Sequence, residues 1–194
     1  ELIVALPVGF EPIIISVNAQ GTADDPTIQA AVNVASDGEI IELADGTYQG
    51  AGNYAVDYQS KAITIRSASG DAEACVIDCG DQGRGFTMSP TAPPRAALEG
   101  VTITDGQGGG QGGGLLITSG TGTNSATVRN CRFVENAAHV AGGVSVSLGT
   151  SLIEDCLFLD NDATANCGGG LASSQGTPVL KNCTFVGNEA VTQG

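Results

Sequence analysis

The chain has 194 residues, 41% of them hydrophobic, and carries a net charge of −14 from 21 acidic and seven basic side chains. That apolar share excludes a disordered polar chain despite 29 glycines, and the length suits one domain with its own core. The acidic excess disfavours nucleic acid and anionic membranes as partners, since both require a cationic face. No apolar run approaches the ~20 residues that cross a bilayer, so membrane insertion by this segment is not expected.

In chain order, residues 1–12 read as an N-terminal extension carrying the apolar strip Leu2, Ile3, Val4, Ala5 and Leu6. The strip lacks the basic flank of an intact signal peptide, so if the chain is exported its leader has been removed or is omitted from this sequence. It is read either as a first strand lying along its own domain or as an assembly strand joining subunits by strand addition.

Residues 13–50 read as an N-terminal strand at 13–17 followed by a capping helix at 27–36. The helix places Ile28, Ala31, Val32 and Ala35 on one face, with Asp25 as its start and Pro26 in its first turn. Such a helix covers the open end of a stack of strands. Residues 51–194 read as stacked turns, beginning with strands at 62–65 and 75–77.

The strongest signal is an internal repeat. Asn130-Cys131-Arg132-Phe133-Val134-Glu135-Asn136, Asp155-Cys156-Leu157-Phe158-Leu159-Asp160-Asn161 and Asn182-Cys183-Thr184-Phe185-Val186-Gly187-Asn188 align without gaps. Gly112-Gly113-Gly114-Leu115, Gly142-Gly143-Val144 and Gly168-Gly169-Gly170-Leu171 keep step with them, and Val101 and Ile103 replace Cys and Phe in an earlier copy.

A unit of this size with two or three short strands cannot bury its own apolar face. Stacking solves this: each strand pairs with its equivalent one rung away, ~4.8 Å along the axis. Cys131, Cys156 and Cys183 then point inward beside Phe133, Phe158 and Phe185 as small and large fillers. Asn136, Asn161 and Asn188 fall at a corner, where Asn tolerates a left-handed backbone and its amide can bond the next rung. The paired glycines mark a second corner that excludes a Cβ. At ~27 residues per rung the chain makes about five or six rungs, or ~25 Å of stack. Asn188 to Gly194 follow a complete motif with no polar or helical cap, which implies a fragment or another chain covering that end.

These motifs resemble the Gly-Gly-aliphatic and Phe-x-x-Asn repeats of chlamydial polymorphic outer membrane proteins, over roughly residues 95–190. The stretch from Ile13 through Thr47-Tyr48 resembles the start of pectin-lyase-like proteins. Both resemblances imply an all-β right-handed parallel β-helix with a short N-terminal capping helix. The first implies an exported surface or adhesive module, extracellular or at the cell surface. Its partners would be further copies, end to end, or a host or cell-surface protein. The second keeps open a polysaccharide lyase, hydrolase or carbohydrate binder.

The chemistry of the residues favours the first. Sugar cleavage needs a carboxylate pair at a set separation, and Asp155, Asp160 and Asp162 are the nearest candidates. Twenty-one acids on a small surface place such groups side by side in any case. Arg129 and Lys181 share a repeat position with Glu154 between them, so they read as mutual charge pairs. The only histidine, His139, lies in a loop without an orienting partner. No catalytic residue is assigned.

No cofactor is expected. Asp160 and Asp162 in a turn are weak calcium candidates, as are Asp78 and Asp81. Disulfide pairing stays open, with thiol packing preferred for the ladder because in-register geometry suits a disulfide poorly. Tyr48, Tyr54 and Tyr58 are the only aromatic cluster available to stack sugars.

Overall fold

The computed structural model describes residues 11–89, 96–118 and 126–191. The strip Leu2–Leu6 lies outside them. Four parallel sheets wrap one apolar interior, and the chain visits them in the same order on each turn. The first has seven strands: Ile14–Val17, Ile40–Leu43, Thr64–Ser67, Ala97–Glu99, Thr127–Arg129, Leu152–Glu154 and Val179–Lys181. The second has six, running from Gly46–Tyr48 through Arg132–Val134 and Leu157–Leu159 to Thr184–Val186. A four-stranded sheet begins at Gln107–Gln111, and a five-stranded sheet begins at Val56–Asp57. Every strand pair among the described residues is parallel and joins one turn to the next, which makes the molecule an all-β solenoid.

The register explains the repeat. Phe133 pairs with Phe158 and Phe158 with Phe185, while Ile103 stands opposite Phe133. The rings stack at centroid distances of 5.2 and 4.4 Å, with interplanar angles of 14° and 3°. Each such pair adds about 0.5–1.5 kcal/mol beyond the apolar area it buries. Ile41, Ile65, Leu98, Val128 and Ile153 form a parallel aliphatic column, all fully buried.

The helix is Ile28–Val34, and its buried residues are Ile28, Ala31 and Val32, with Ala35 buried at its C-cap. Its N-cap is Thr27 rather than Asp25: the Thr27 hydroxyl accepts a hydrogen bond from the Ala30 N–H at 3.2 Å. Asp25 instead bridges to Val17 as an extension of the first sheet. The strand expected at 62–65 is Thr64–Ser67, with Ala62 and Ile63 buried just ahead of it.

The Asn corner differs from expectation in a specific way. The left-handed residue is the one before each Asn: Glu135 (φ 54°), Asp160 (φ 53°) and Gly187 (φ 63°). The asparagines have negative φ and turn their amides inward. Asn136 and Asn161 are fully buried there. The glycine corner matches expectation. Gly112 and Gly168 have φ of 61° and 78°, and a Cβ on Gly143 would lie 2.3 Å from the Gly170 carbonyl oxygen.

Candidate functional site

Two ladders and two grooves carry the polar chemistry of the described residues. The inner ladder is made of amides. Asn136 Nδ2 donates to Asn161 Oδ1 at 3.0 Å, and Asn161 Nδ2 donates to Asn188 Oδ1 at 2.8 Å. The same amides donate to the carbonyls of Ile103, Phe133 and Phe158, one turn back. Asn136 Oδ1 in turn accepts from the Gly106 N–H at 2.9 Å. A buried chain in which nearly every donor and acceptor is used rigidifies the corner and fixes the register.

The outer ladder is charged and longer than the repeat alone discloses. In the first sheet Glu42, Arg66, Glu99, Arg129, Glu154 and Lys181 occupy successive positions of one outward column, so the sign alternates at every turn. Arg66 Nη2 lies 2.7 Å from Glu42 Oε2, and Arg129 reaches Glu154 at 2.5 Å and Glu99 at 4.0 Å. These groups are partly exposed, and each pair contributes about 0–1 kcal/mol. A one-turn slip would place like charges together, so the ladder acts chiefly on register.

Beside this column a groove of about 470 Å³ is lined by Glu42, Arg66, Ser69, Glu99, Arg129 and Asn130. A second groove of similar volume lies across Gly70 and includes Glu73, Arg132, Asp155 and Leu157. Arg132 is paired with Glu73, and its Nε is buried without a partner. The turn that separates the grooves is tied down by Asn130 Nδ2, which donates to the Gly70 carbonyl at 2.8 Å.

The remaining sequence candidates are scattered. Asp155 is a left-handed corner residue whose carboxylate accepts from Asn182, and Asp160 is a corner residue on another edge. Asp162 belongs to the strand Asp162–Ala163, and His139 is exposed on the strand Ala137–Val140. Asp78 accepts from Gln49, and Asp81 from Gln107. Among the described residues no three His, Cys, Asp or Glu side chains converge as a metal-binding group.

Tyr48 and Tyr58 are not available to stack sugars. Both are fully buried, and their hydroxyls donate to the carbonyls of Val17 and Ala44, and of Ala97. Burial pushes both phenols upward in pKa. Sequence reasoning also missed Arg84, whose half-buried guanidinium donates to the carbonyls of Gln111 (2.7 Å from Nη2) and Gly112 (2.7 Å from Nε). It clamps the glycine corner. Only a contact between turns identifies that role, and no local pattern around Arg84 signals it.

Repetition, parallel pairing and inward-facing ladders together define a β-helix. Residues 30–193 match the family model described as right handed beta helix region. The chain belongs to that family. No curated protein matches it.

Proposed function

We propose that the protein is a non-catalytic, exported β-helix scaffold, a surface module or a subunit of an extracellular assembly. One observation carries this reading. In the groove beside the charged column the cations are held by carboxylates across the strands: Arg66 by Glu42, and Arg129 by Glu154 and Glu99. A base that removes a proton from an acidic sugar must be unpaired, and each guanidinium here is committed to the ladder. The Gly-Gly-aliphatic and Phe-x-x-Asn repeats, which resemble those of chlamydial surface proteins, agree with a surface role, as does the strongly acidic composition. The partner would be another copy, with Leu2–Leu6 as the joining strand, or a protein at a cell surface.

The groove itself favours a second reading, a carbohydrate-active or carbohydrate-binding protein of the pectin-lyase-like class, because its volume and its Ser, Asn and Glu lining suit a sugar. Incubation of the chain with polygalacturonate and alginate separates the two. The scaffold reading expects neither unsaturated nor reducing ends above the buffer control after prolonged incubation. Release that is lost on Arg66→Ala or Arg129→Ala would replace it with the enzyme reading.

A further inference from the structure

Among the described residues, Cys131, Cys156 and Cys183 form a stack of nucleophiles outside both ladders, with Cys131 also at the base of the second groove. Cys131, Cys156 and Cys183 immediately precede three strands paired in register, so their sulfurs rise through the interior one turn at a time. Cys131 and Cys156 are buried, Cys183 is half-buried, and all three are free thiols. Val101 continues the column, which shows that an aliphatic side chain fits the same place.

We propose that this column is a two-coordinate binding site for a thiophilic divalent cation of the Hg(II) class, held between sulfurs one turn apart. The spacing decides between the ways two stacked thiols can react. A disulfide needs sulfurs ~2.05 Å apart and Cβ atoms about 3.5–4.5 Å apart. Parallel strands hold equivalent residues ~4.8 Å apart, so a disulfide would pinch two turns together. A linear sulfur–metal–sulfur bridge spans twice a metal–thiolate bond of about 2.3 Å, or ~4.6 Å, close to the ~4.8 Å rise between turns. Soft thiolates select such ions over hard cations.

The surroundings fit a cation in place of the thiol protons. Cys156 Sγ lies 3.2 Å from the Glu154 carbonyl oxygen and 3.8 Å from that of Val128. Cys183 Sγ lies 3.4 Å from the carbonyl oxygens of both Ile153 and Lys181. These oxygens accept the S–H protons now and would oppose a bare thiolate. Only an ion that binds sulfur strongly enough to expel the protons can enter. For a divalent ion the exchange is balanced: two thiols lose two protons, two metal–sulfur bonds form, and the bridge is neutral in an apolar interior.

The pattern of loss on mutation is distinctive, because only Cys156 belongs to both adjacent pairs. With Cys167→Ser as background to remove the exposed thiol, Hg²⁺ is added to one equivalent and challenged with excess small monothiol. Binding through two held sulfurs exceeds binding through one by about 10²–10⁴-fold. One ion should therefore remain in the unmutated column, in Cys131→Val and in Cys183→Val, with two protons released per ion. In Cys156→Val it should bind at least about 100-fold more weakly. Equal retention in Cys156→Val, or loss in all three variants, overturns the site, as does a mass decrease showing a disulfide among these residues. X-ray absorption at mercury in the loaded protein needs no column variant: two sulfur neighbours in line support the bridge, and one or three refute it.

Discussion

Asn161→Ala is expected to lower the unfolding free energy by about 3–5 kcal/mol, because each buried polar group stranded without a partner costs about 1–3 kcal/mol. Asn161 is fully buried, and its side chain takes part in four hydrogen bonds along its column. It accepts from the Asn136 backbone and amide, and it donates to the Phe133 carbonyl and to Asn188 Oδ1. Alanine strands the Asn136 N–H where water does not reach and removes the amide bonds made to the Phe133 carbonyl and to Asn188 Oδ1. Asn188→Ala, at the half-buried end of the column, should cost less than half as much, since solvent can replace part of what is lost. Urea unfolding of the two variants beside the parent measures both. Equal, small losses would mean that the amides do not form a buried chain.

Gly143→Ala is expected to cost about 3 kcal/mol or more, at or above the upper end of ordinary overpacking. The added methyl would lie 2.3 Å from the Gly170 carbonyl oxygen and 3.1 Å from Phe158 Cδ1. The nearest obstacle is backbone of the next turn, so relief requires the two turns to part. Gly109→Ala is the matched control, with nothing within 4 Å of its added Cβ. It should be neutral within about 0.5 kcal/mol. The contrast tests whether these glycines serve close approach between turns. Two glycines that responded alike would place the cost in backbone freedom instead.

How much of this was legible in the sequence depends on whether a feature repeats at constant spacing. The Phe and Cys columns were legible because three copies align without gaps, so the inward direction of one member implies that of the others, although in the last turn Phe185 is exposed and Cys183 half-buried. The amide ladder was legible as chemistry but assigned the wrong backbone cause. A periodic Asn marks the corner, yet the left-handed conformation falls one residue earlier, on Glu135 and Asp160, where composition gives no hint. Only the last half of the charge ladder was read. Glu42, Arg66 and Glu99 each follow an inward aliphatic, Ile41, Ile65 and Leu98, just as Arg129 follows Val128. Irregular loop lengths between the early strands hide that equivalence from any fixed-period alignment.

Tyr48 and Tyr58 were misread for a different reason. A tyrosine whose hydroxyl reaches a backbone carbonyl is as well suited to the interior as to a sugar platform. Nothing local distinguishes the two, and only the turn stacked beyond it closes Tyr58 off, with its hydroxyl on the Ala97 carbonyl. The scaffold reading rests on the same logic of turns. Most of the outward charge near the grooves is spent holding one turn against the next.

Ring-to-ring nuclear Overhauser contacts among selectively labelled phenylalanines test that stacking most directly. In-register turns place Phe158 against both Phe133 and Phe185 and hold the outer two ~9.6 Å apart, two strand spacings. Cross-peaks are therefore expected for Phe133 with Phe158 and for Phe158 with Phe185, and none for Phe133 with Phe185. A Phe133–Phe185 contact, or silence between Phe133 and Phe158, would contradict the register on which the ladders, the thiol column and the scaffold reading all depend.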